Sequence, residues 1–370
     1  MSDQIAIPAV FMRGGTSKGL LFHKKDLPQD KKTLSKFLLK IMGSPDLRQI
    51  DGMGGGTSVT SKVCIISKSL KKNIDIDYFF AQVEVNRSHV DFEPTCGNML
   101  SAVAAFSIEE GLVKPVNGNT NVSVRSVNTG SLIDILVPTP NAKVIYDGNY
   151  KIDGVPNGGA PLFLRFLKLE GVKTGKLFPT NELVTKINEV QVTCIDLSTP
   201  MVIAKASQFG ISGKENSSEL NKNFKLLQKI EKVRKSAALK MGMGDVKGKV
   251  LPKFCLVSKA QNNGNISSRY FTPYSCHETH AVTGTLCLSG ASLIPGTIPY
   301  KLSNKNSSFK KKIIKIEHPL GVIECNVKVH QNFKKNILNK KEVIISCGIY
   351  RTCRKIMNGN VYVLKKINSM

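Results

Sequence analysis

Cys96 is the residue of this sequence whose type and position most clearly indicate chemistry. It opens the motif Cys96-Gly97-Asn98, and the small and apolar residues after it predict a buried helix that begins at Met99. The first N–H groups of a helix lack partners and carry partial positive charge, so they favour a thiolate and can hold a carboxylate. We predict a catalytic thiol with Gly97, Asn98 and Met99 as substrate-binding residues, although a thiol that only packs fits the same pattern.

Lys62 is the second candidate catalytic residue. It lies directly before an apolar run that predicts a buried strand. If its side chain points inward it loses hydration and can act as a base, whereas a side chain at the strand edge would reach solvent. The turn before it combines glycine with hydroxyl groups, which suits a carboxylate. We predict that this turn binds substrate through Gly54, Gly55, Thr57 and Ser58.

A third turn of similar composition, Arg13 to Gly19, adds Ser17 as a predicted substrate-binding residue. On its own this segment is also compatible with a simple tight hairpin. Gly15-Thr16-Ser17-Lys18-Gly19 has Gly-x-Ser-x-Gly spacing, but the segment is predicted as strand, turn, strand rather than strand, turn, helix, so a hydrolase elbow has no support. The sequence contains no Gly-x-Gly-x-x-Gly after a strand, so a dinucleotide has none either. We therefore expect no cofactor.

The charge of the chain is strongly positive, with 53 basic and 27 acidic residues and a net charge of +26. This excess could bind nucleic acid, attract a multiply anionic substrate, or reflect lysines on solvated faces. Most basic residues are scattered Lys and Trp is absent, whereas readers of bases use Arg forks and stacking aromatics. We expect no nucleic-acid partner. No apolar run approaches the roughly 20 residues of a membrane span, so we expect no membrane partner.

The nine cysteines indicate a reduced, cytoplasmic protein. Their number is odd, their spacing is irregular, and we detect no signal peptide before them. His277 and His280 come closest to a pair of metal ligands, but no second cluster accompanies them. We expect no metal site.

The order of predicted elements indicates an α+β protein with two similar domains. In each half, short strands surround one helix rich in small and apolar residues, which is typical of a buried helix. The second half adds a long amphipathic helix from Leu220 to Ala237, and its buried helix lies within Cys276 to Leu288. We predict domains at 1–185 and 186–370, with tail strands that could return to the first domain.

Several motifs together resemble the 2-methylaconitate cis–trans isomerase family, which includes methylitaconate isomerase, 4-oxalomesaconate tautomerase and aconitate isomerase. The resemblance extends over nearly the whole chain and is weakest beyond about Lys311. The motifs that carry it are Phe11 to Gly19, Asp51 to Gly55, Thr60 to Val63, Cys96 to Met99, Asn128-Thr129, Asp196 to Met201, Gly210 to Glu215 and His280 to Gly284.

This resemblance implies the diaminopimelate epimerase-like fold, in which each domain is a β-sheet wrapped around a central helix and the active site lies in the cleft between the domains. It implies Lys62 and Cys96 as the acid–base pair and Thr283 and Gly284 as further substrate-binding residues. The place of the second thiol in related epimerases is occupied by Val282. A symmetric two-thiol mechanism is therefore not expected.

The expected activity is proton transfer, without a cofactor, on an unsaturated di- or tricarboxylate. The main hypothesis is cis–trans isomerisation of 2-methylaconitate or aconitate. The alternatives are an oxalomesaconate tautomerase, a methylitaconate double-bond isomerase, or a non-catalytic partner of an iron–sulfur dehydratase, since the resemblance associates the family with such an enzyme.

Overall fold

The computed structural model describes residues 3–272, 274–330, 337–339 and 343–365. In chain order the strands are β1 (Gln4–Gly14), β2 (Ser17–His23), β3 (Lys62–Lys68), β4 (Ile76–Val83), β5 (Val90–Asp91), β6 (Gly118–Ser126), β7 (Leu132–Thr139), β8 (Leu162–Leu167), β9 (Thr185–Ile187), β10 (Val190–Leu197), β11 (Thr199–Lys205), β12 (Lys253–Lys259), β13 (Ile266–Phe271), β14 (Ile313–His318), β15 (Gly321–Val329), β16 (Ile344–Arg351) and β17 (Cys353–Leu364). The α-helices are α1 (Lys31–Met42), α2 (Leu100–Glu109), α3 (Ser217–Lys222), α4 (Phe224–Lys240), α5 (Val282–Leu293), α6 (Ile298–Leu302) and α7 (Ser307–Lys310).

The chain divides into two compact units. Unit 1 comprises Met1–Leu164 and Tyr350–Met370, and unit 2 comprises Arg165–Ile349. The division falls at 164/165 rather than at 185/186, and the last strand belongs to unit 1 because β17 pairs antiparallel with β1. The segment after 164 joins unit 2 because the backbone N–H groups of Lys173 and Thr174 donate to Asp196 Oδ2, each at 2.8 Å.

The sheets of the two units have the same topology. In unit 1 the order is β1-β2-β3-β4-β6-β7, with pairings that alternate antiparallel, parallel, antiparallel, parallel and antiparallel. In unit 2 the strands β10 to β15 repeat this alternation. The third strands also match in sequence, since β3 reads KVCIISK and β12 reads KFCLVSK. Each unit is therefore a copy of one plan.

Each sheet wraps around a buried central helix. In unit 1 this helix is α2, which is buried from Leu100 to Ile108 and contacts β1, β3, β7 and β17. In unit 2 it is α5, which contacts β10, β11, β14 and β15 and is buried at every residue except Thr283. The predicted α+β architecture of two similar domains, each with a central helix, is confirmed.

A second helix covers the other face of each sheet. In unit 1, Phe37 and Leu38 of α1 pack with Val63 and Ile65 of β3. In unit 2, Ile230 of α4 packs in a cluster with buried apolar side chains of the strands. Burial of each such side chain contributes about 1.5–3 kcal/mol. The sheet therefore has an outer face for this helix and an inner face for the central helix.

Two predicted helix boundaries are wrong. The helix from Leu220 to Ala237 is two helices, because Asn223 leaves helical geometry (φ −87°, ψ 81°) and its side chain accepts from Leu226 N at 3.0 Å, starting α4. The central helix of unit 2 begins at Val282, because Cys276 still forms a bridge to Phe271. In the part of the chain that the structure describes, no helix is long and apolar enough to cross a membrane.

We expect Gly19→Ala to lower the free energy of unfolding by about 1–3 kcal/mol, because a methyl group on Gly19 would overlap the carbonyl of Lys62 on the paired strand. Urea unfolding measures this. Gly359→Ala is the matched control, since Gly359 also lies in a strand and no atom lies within 4 Å of its added methyl position. Equal stability of the two variants would contradict the close approach of β2 and β3.

Candidate active site

Lys62 is the first residue of β3, and its side chain lies on the inner face of the sheet. Side chains alternate along a strand, and Val63 and Ile65 pack in the outer core with α1. Lys62 and Cys64 therefore occupy the opposite face, the one around α2. Lys62 is 8% exposed, so the amine is removed from bulk solvent but not sealed.

The amine of Lys62 is held by two groups on the neighbouring strand β4. Its Nζ donates to Gln82 Oε1 at 2.7 Å and lies 5.2 Å from the centroid of the Phe80 ring. The Gln82 side chain in turn donates to the carbonyls of Ser61 at 2.9 Å and Ser58 at 3.1 Å. The ammonium therefore has a neutral acceptor and an aromatic face as its partners.

The loop that carries Cys96 is anchored at three points. Asn128 Nδ2 donates to the carbonyl of Phe92 at 2.8 Å, and Ser126 Oγ donates to Thr95 Oγ1 at 3.1 Å. Tyr78 Oη donates to the carbonyl of Cys96 itself at 3.3 Å. Cys96 is 9% exposed. These bonds fix its backbone on the inner face of β4.

Cys64 lies on the same inner face of β3 as Lys62. Burial raises the pKa of its thiol, whereas the hydrogen bond with Tyr78 and the Lys62 ammonium lower it. Its Sγ lies 4.0 Å from Tyr78 Oη. Cys64 stays a neutral thiol, and Tyr78, which contacts its sulfur, also donates to the Cys96 carbonyl.

The start of α2 is unusual among the described α-helices. Its N-cap residue, Met99, makes no side-chain hydrogen bond to the first turn, and Ala281 before α5 makes none either. The other described α-helices all have a side-chain cap, from Asp30, Asn216, Asn223, Thr297 or Asn306. The N–H groups at the start of each central helix are therefore open to an anion. Cys96 lies in the turn just before α2.

Asn98 holds in place the turn from Arg13 to Gly19, which we call the first glycine-rich turn. Its Nδ2 donates to Thr16 Oγ1 at 3.1 Å, and its Oδ1 accepts from Arg351 Nε at 3.1 Å. Gly15, at φ +53°, packs so closely on this side chain that an added methyl group would overlap it. The side chain of Asn98 is thus a support for the hairpin, on which the buried Ser17 begins β2.

The second glycine-rich turn, from Asp51 to Ser58, is organised around the buried side chain of Gln49. Gln49 Oε1 accepts from Gly56 N at 2.9 Å, while Gly54 N donates to the carbonyl of Met42 at 3.2 Å. Thr57 Oγ1 is bonded to Thr60 Oγ1 at 2.8 Å. Some of the N–H and hydroxyl groups that were predicted to bind an anion therefore already form hydrogen bonds within the protein. Gly55, Thr57 and Ser58 are exposed.

In unit 2 the predicted residues Thr283 and Gly284 lie in the first turn of α5. Gly284 packs against the Tyr270 ring where a methyl group would overlap, and Thr283 is half-buried. His280 is buried and bonded to Ser268 Oγ and Thr285 Oγ1, each at 3.1 Å. This histidine therefore supports the helix start.

Val282, the predicted counterpart of the missing second thiol, is the first residue of α5. Cys96 lies four residues before the first residue of α2. Within the described ranges, no group of three or more His, Cys, Asp or Glu residues could hold a metal ion.

Sequence reasoning missed the residues that hold the site together. They are Gln49, Tyr78, Gln82 and Arg351. A polar residue at the end of an otherwise buried strand face is a sequence signal for Gln82. The partner of Arg351 lies 253 residues away, and no local pattern indicates it.

The two sheets around central helices define the class of the protein. A crystal structure of a methylitaconate-delta-isomerase superposes with a TM-score of 0.82 at 34% identity, covering 99% of this chain and 97% of that one. A hydroxyproline epimerase from Agrobacterium vitis has a TM-score of 0.54 at 9% identity, covering 98% and 94% of the two chains. This is the diaminopimelate epimerase-like fold, as predicted.

Residues 4–364 match the family described as PrpF protein. Among its relatives, YbhH of Escherichia coli (strain K12) is 43% identical, covering 96% of this chain and 99% of that protein. A 4-oxalomesaconate tautomerase of Pseudomonas putida is 37% identical, covering 97% of each. A 2-methyl-aconitate isomerase of Shewanella oneidensis is 30% identical, covering 98% of each. The chain belongs to the PrpF family and is an isomerase.

We expect Tyr78→Phe to release the Cys96 loop. The variant lacks the hydroxyl that donates to the Cys96 carbonyl, so its free energy of unfolding should be about 1 kcal/mol lower. Alkylation of Cys96 by iodoacetamide, followed by mass spectrometry, should be faster because the loop is less restrained. Tyr362→Phe on β17, where the ring is exposed, is the control and should change neither quantity. An unchanged alkylation rate in Tyr78→Phe would contradict the anchoring role of this hydroxyl.

Proposed function

We propose that this protein isomerises an unsaturated di- or tricarboxylate by proton transfer without a cofactor, with Lys62 and Cys96 as the acid–base pair. The observation that carries the proposal is that three features lie on the inner face of unit 1. These are a buried amine with a neutral acceptor, a thiol on an anchored loop, and a helix start without a side-chain cap.

The reaction needs a base, an acid and a place for negative charge. The base removes a proton from a carbon conjugated through the double bond to a carboxylate, and the electron pair spreads into an extended enolate. The acid then returns a proton to another carbon, or to the same carbon after bond rotation, so no electrons are gained or lost. Lys62 and Cys96 supply these two roles in either order. Amides at the start of α2 stabilise the enolate.

Carboxylate binding needs backbone N–H groups and hydroxyls as donors. We assign this role to the backbone of Gly97, Asn98 and Met99 and to the hydroxyl of Ser17. Gly54, Gly55, Thr57 and Ser58 form the turn that Gln82 connects to Lys62. In unit 2, Thr283 and Gly284 are candidates for carboxylate binding through the uncapped start of α5. The net charge of +26 favours the approach of a polyanion.

For the substrate we propose 2-methylaconitate or aconitate, converted between cis and trans isomers. The relatives' names support this class, because aconitate, itaconate and mesaconate skeletons all place a double bond beside a carboxylate. A shift of the double bond in oxalomesaconate is the second candidate. The higher identity to the tautomerase, 37% against 30%, favours this alternative.

We expect Lys62→Met and Cys96→Ser each to lower kcat by about 10²–10⁴-fold, because each removes one partner of the proton transfer. Deuterium uptake from D₂O into trans-aconitate, 2-methylaconitate, methylitaconate and oxalomesaconate, followed by NMR, measures this. Uptake with rotation about the double bond supports the main candidate, and uptake with a shifted double bond supports the second.

The matched controls are Lys68→Met, at the exposed end of the same strand, and Cys276→Ser, whose sulfur lies in unit 2. Both should retain wild-type exchange. Circular dichroism and Tm establish that the Lys62 and Cys96 variants are folded. Full exchange by both folded variants would remove this pair from the mechanism, and no exchange of any of the four acids by the wild-type protein would refute the substrate class.

A further inference from the structure

We propose that Gln82 is a positioning residue that aims the Lys62 amine and leaves it free to gain and lose its proton. This inference rests on the proposed function, since it assigns Lys62 a role in proton transfer. It concerns a residue that the sequence motifs do not include, and it follows from the bonds that Gln82 makes on β4.

The register of the sheet places the two side chains together. Lys62 and Gln82 are direct partners in the antiparallel pair β3–β4, and paired residues project to the same face. Phe80 is two residues away on the same face and lies beneath the amine. The position of Gln82 is therefore set by strand pairing, before any side-chain hydrogen bond is considered.

The amide of Gln82 can adopt only one of its two orientations. Its Nε2 faces the carbonyls of Ser61 and Ser58, and its Oε1 faces the Lys62 Nζ at 2.7 Å. A flip would point the N–H groups at an ammonium and the oxygen at two carbonyls, so all three contacts would become repulsive. The backbone thus fixes the direction in which the acceptor points.

The neutrality of this acceptor matters as much as its direction. Among the described residues no carboxylate forms an ion pair with Lys62. A carboxylate at this distance would hold the proton on the amine, whereas an amide accepts a hydrogen bond without adding charge. Gln82 therefore orients the amine while allowing it to transfer its proton.

Gln82 also connects the amine to the second glycine-rich turn. Ser58 belongs to that turn, and its carbonyl is one of the groups that hold the Gln82 amide. Movement of the turn changes the support of the amide that directs Lys62. The turn proposed to bind a carboxylate and the proposed acid–base group are thus joined through one side chain.

The test compares Gln82→Leu and Gln82→Glu with Gln191→Leu, an exposed strand glutamine of unit 2. Gln82→Leu should lower kcat by about tenfold or more with little change in KM, since it misdirects the amine without touching substrate. In Gln82→Glu, the limb of the pH–activity profile that we assign to Lys62 should move upward by about one pH unit or more. Gln191→Leu should match the wild-type protein.

A second readout does not depend on turnover. Acetic anhydride labels neutral amines, and peptide mass spectrometry gives the labelling rate of Lys62 relative to Lys68 on the same strand. We expect this ratio to rise several-fold in Gln82→Leu and to fall in Gln82→Glu. If Gln82 had only a structural role, its replacement would lower the free energy of unfolding but leave the labelling ratio and the pH–activity profile unchanged. This result would overturn the proposal.

The two readouts separate this inference from the proposed function. If the labelling ratio responds to Gln82 while the wild-type protein exchanges none of the four acids, the isomerisation proposal fails and the positioning role is supported. If the acids exchange but neither Gln82 variant alters labelling or the pH limb, the positioning role fails and the isomerisation proposal stands.

Discussion

The arrangement of unit 1 depends on keeping one lysine amine on the inner face of a sheet whose other face is sealed by an apolar core. Burial of an ammonium is costly unless it is paired. Here the cost is offset by a neutral amide and an aromatic ring rather than by a carboxylate. A carboxylate would make a stronger pair but would also fix the proton. The weaker partner is the one compatible with proton transfer.

Thiol chemistry in this protein is restricted by the same balance of burial and charge. Burial raises the pKa of seven cysteine thiols, which therefore stay protonated at neutral pH: Cys64, Cys194, Cys255, Cys276, Cys287, Cys347 and Cys353. Most of them pack on strands or helices. Cys96 instead lies in the turn before an uncapped helix, held through its backbone. The two units share similar strands, KVCIISK in β3 and KFCLVSK in β12. Of the two central helices, only α2 has a cysteine within the four residues before its first residue.

Hydrophobic periodicity was sufficient to predict most strands and both central helices, because α2 and α5 are apolar on all sides and few environments accept such helices. It did not predict the break at Asn223, where a side-chain cap overrides the helical pattern. It also did not predict the boundary at 164/165, which depends on Asp196 binding backbone from an earlier segment. Both features arise from hydrogen bonds that periodicity does not detect.

The candidate site shows the same limit. Motif residues such as Lys62, Cys96 and Asn98 are recognisable from type and spacing, and the structure brings them into unit 1. Their partners Gln82, Tyr78 and Arg351 are defined by strand register and by contacts across long stretches of chain. The buried Gln49 side chain, which occupies part of the second glycine-rich turn, is likewise indicated by no local pattern.

A crystal structure of the wild-type protein soaked with trans-aconitate is the most direct measurement of the central claim. The account predicts that the ligand lies with Lys62 Nζ and Cys96 Sγ each about 3–4 Å from its carbon skeleton, with one carboxylate on the amides that begin α2. A ligand that contacts only one of the two groups, or binds away from the inner face of β3 and β4, would contradict it.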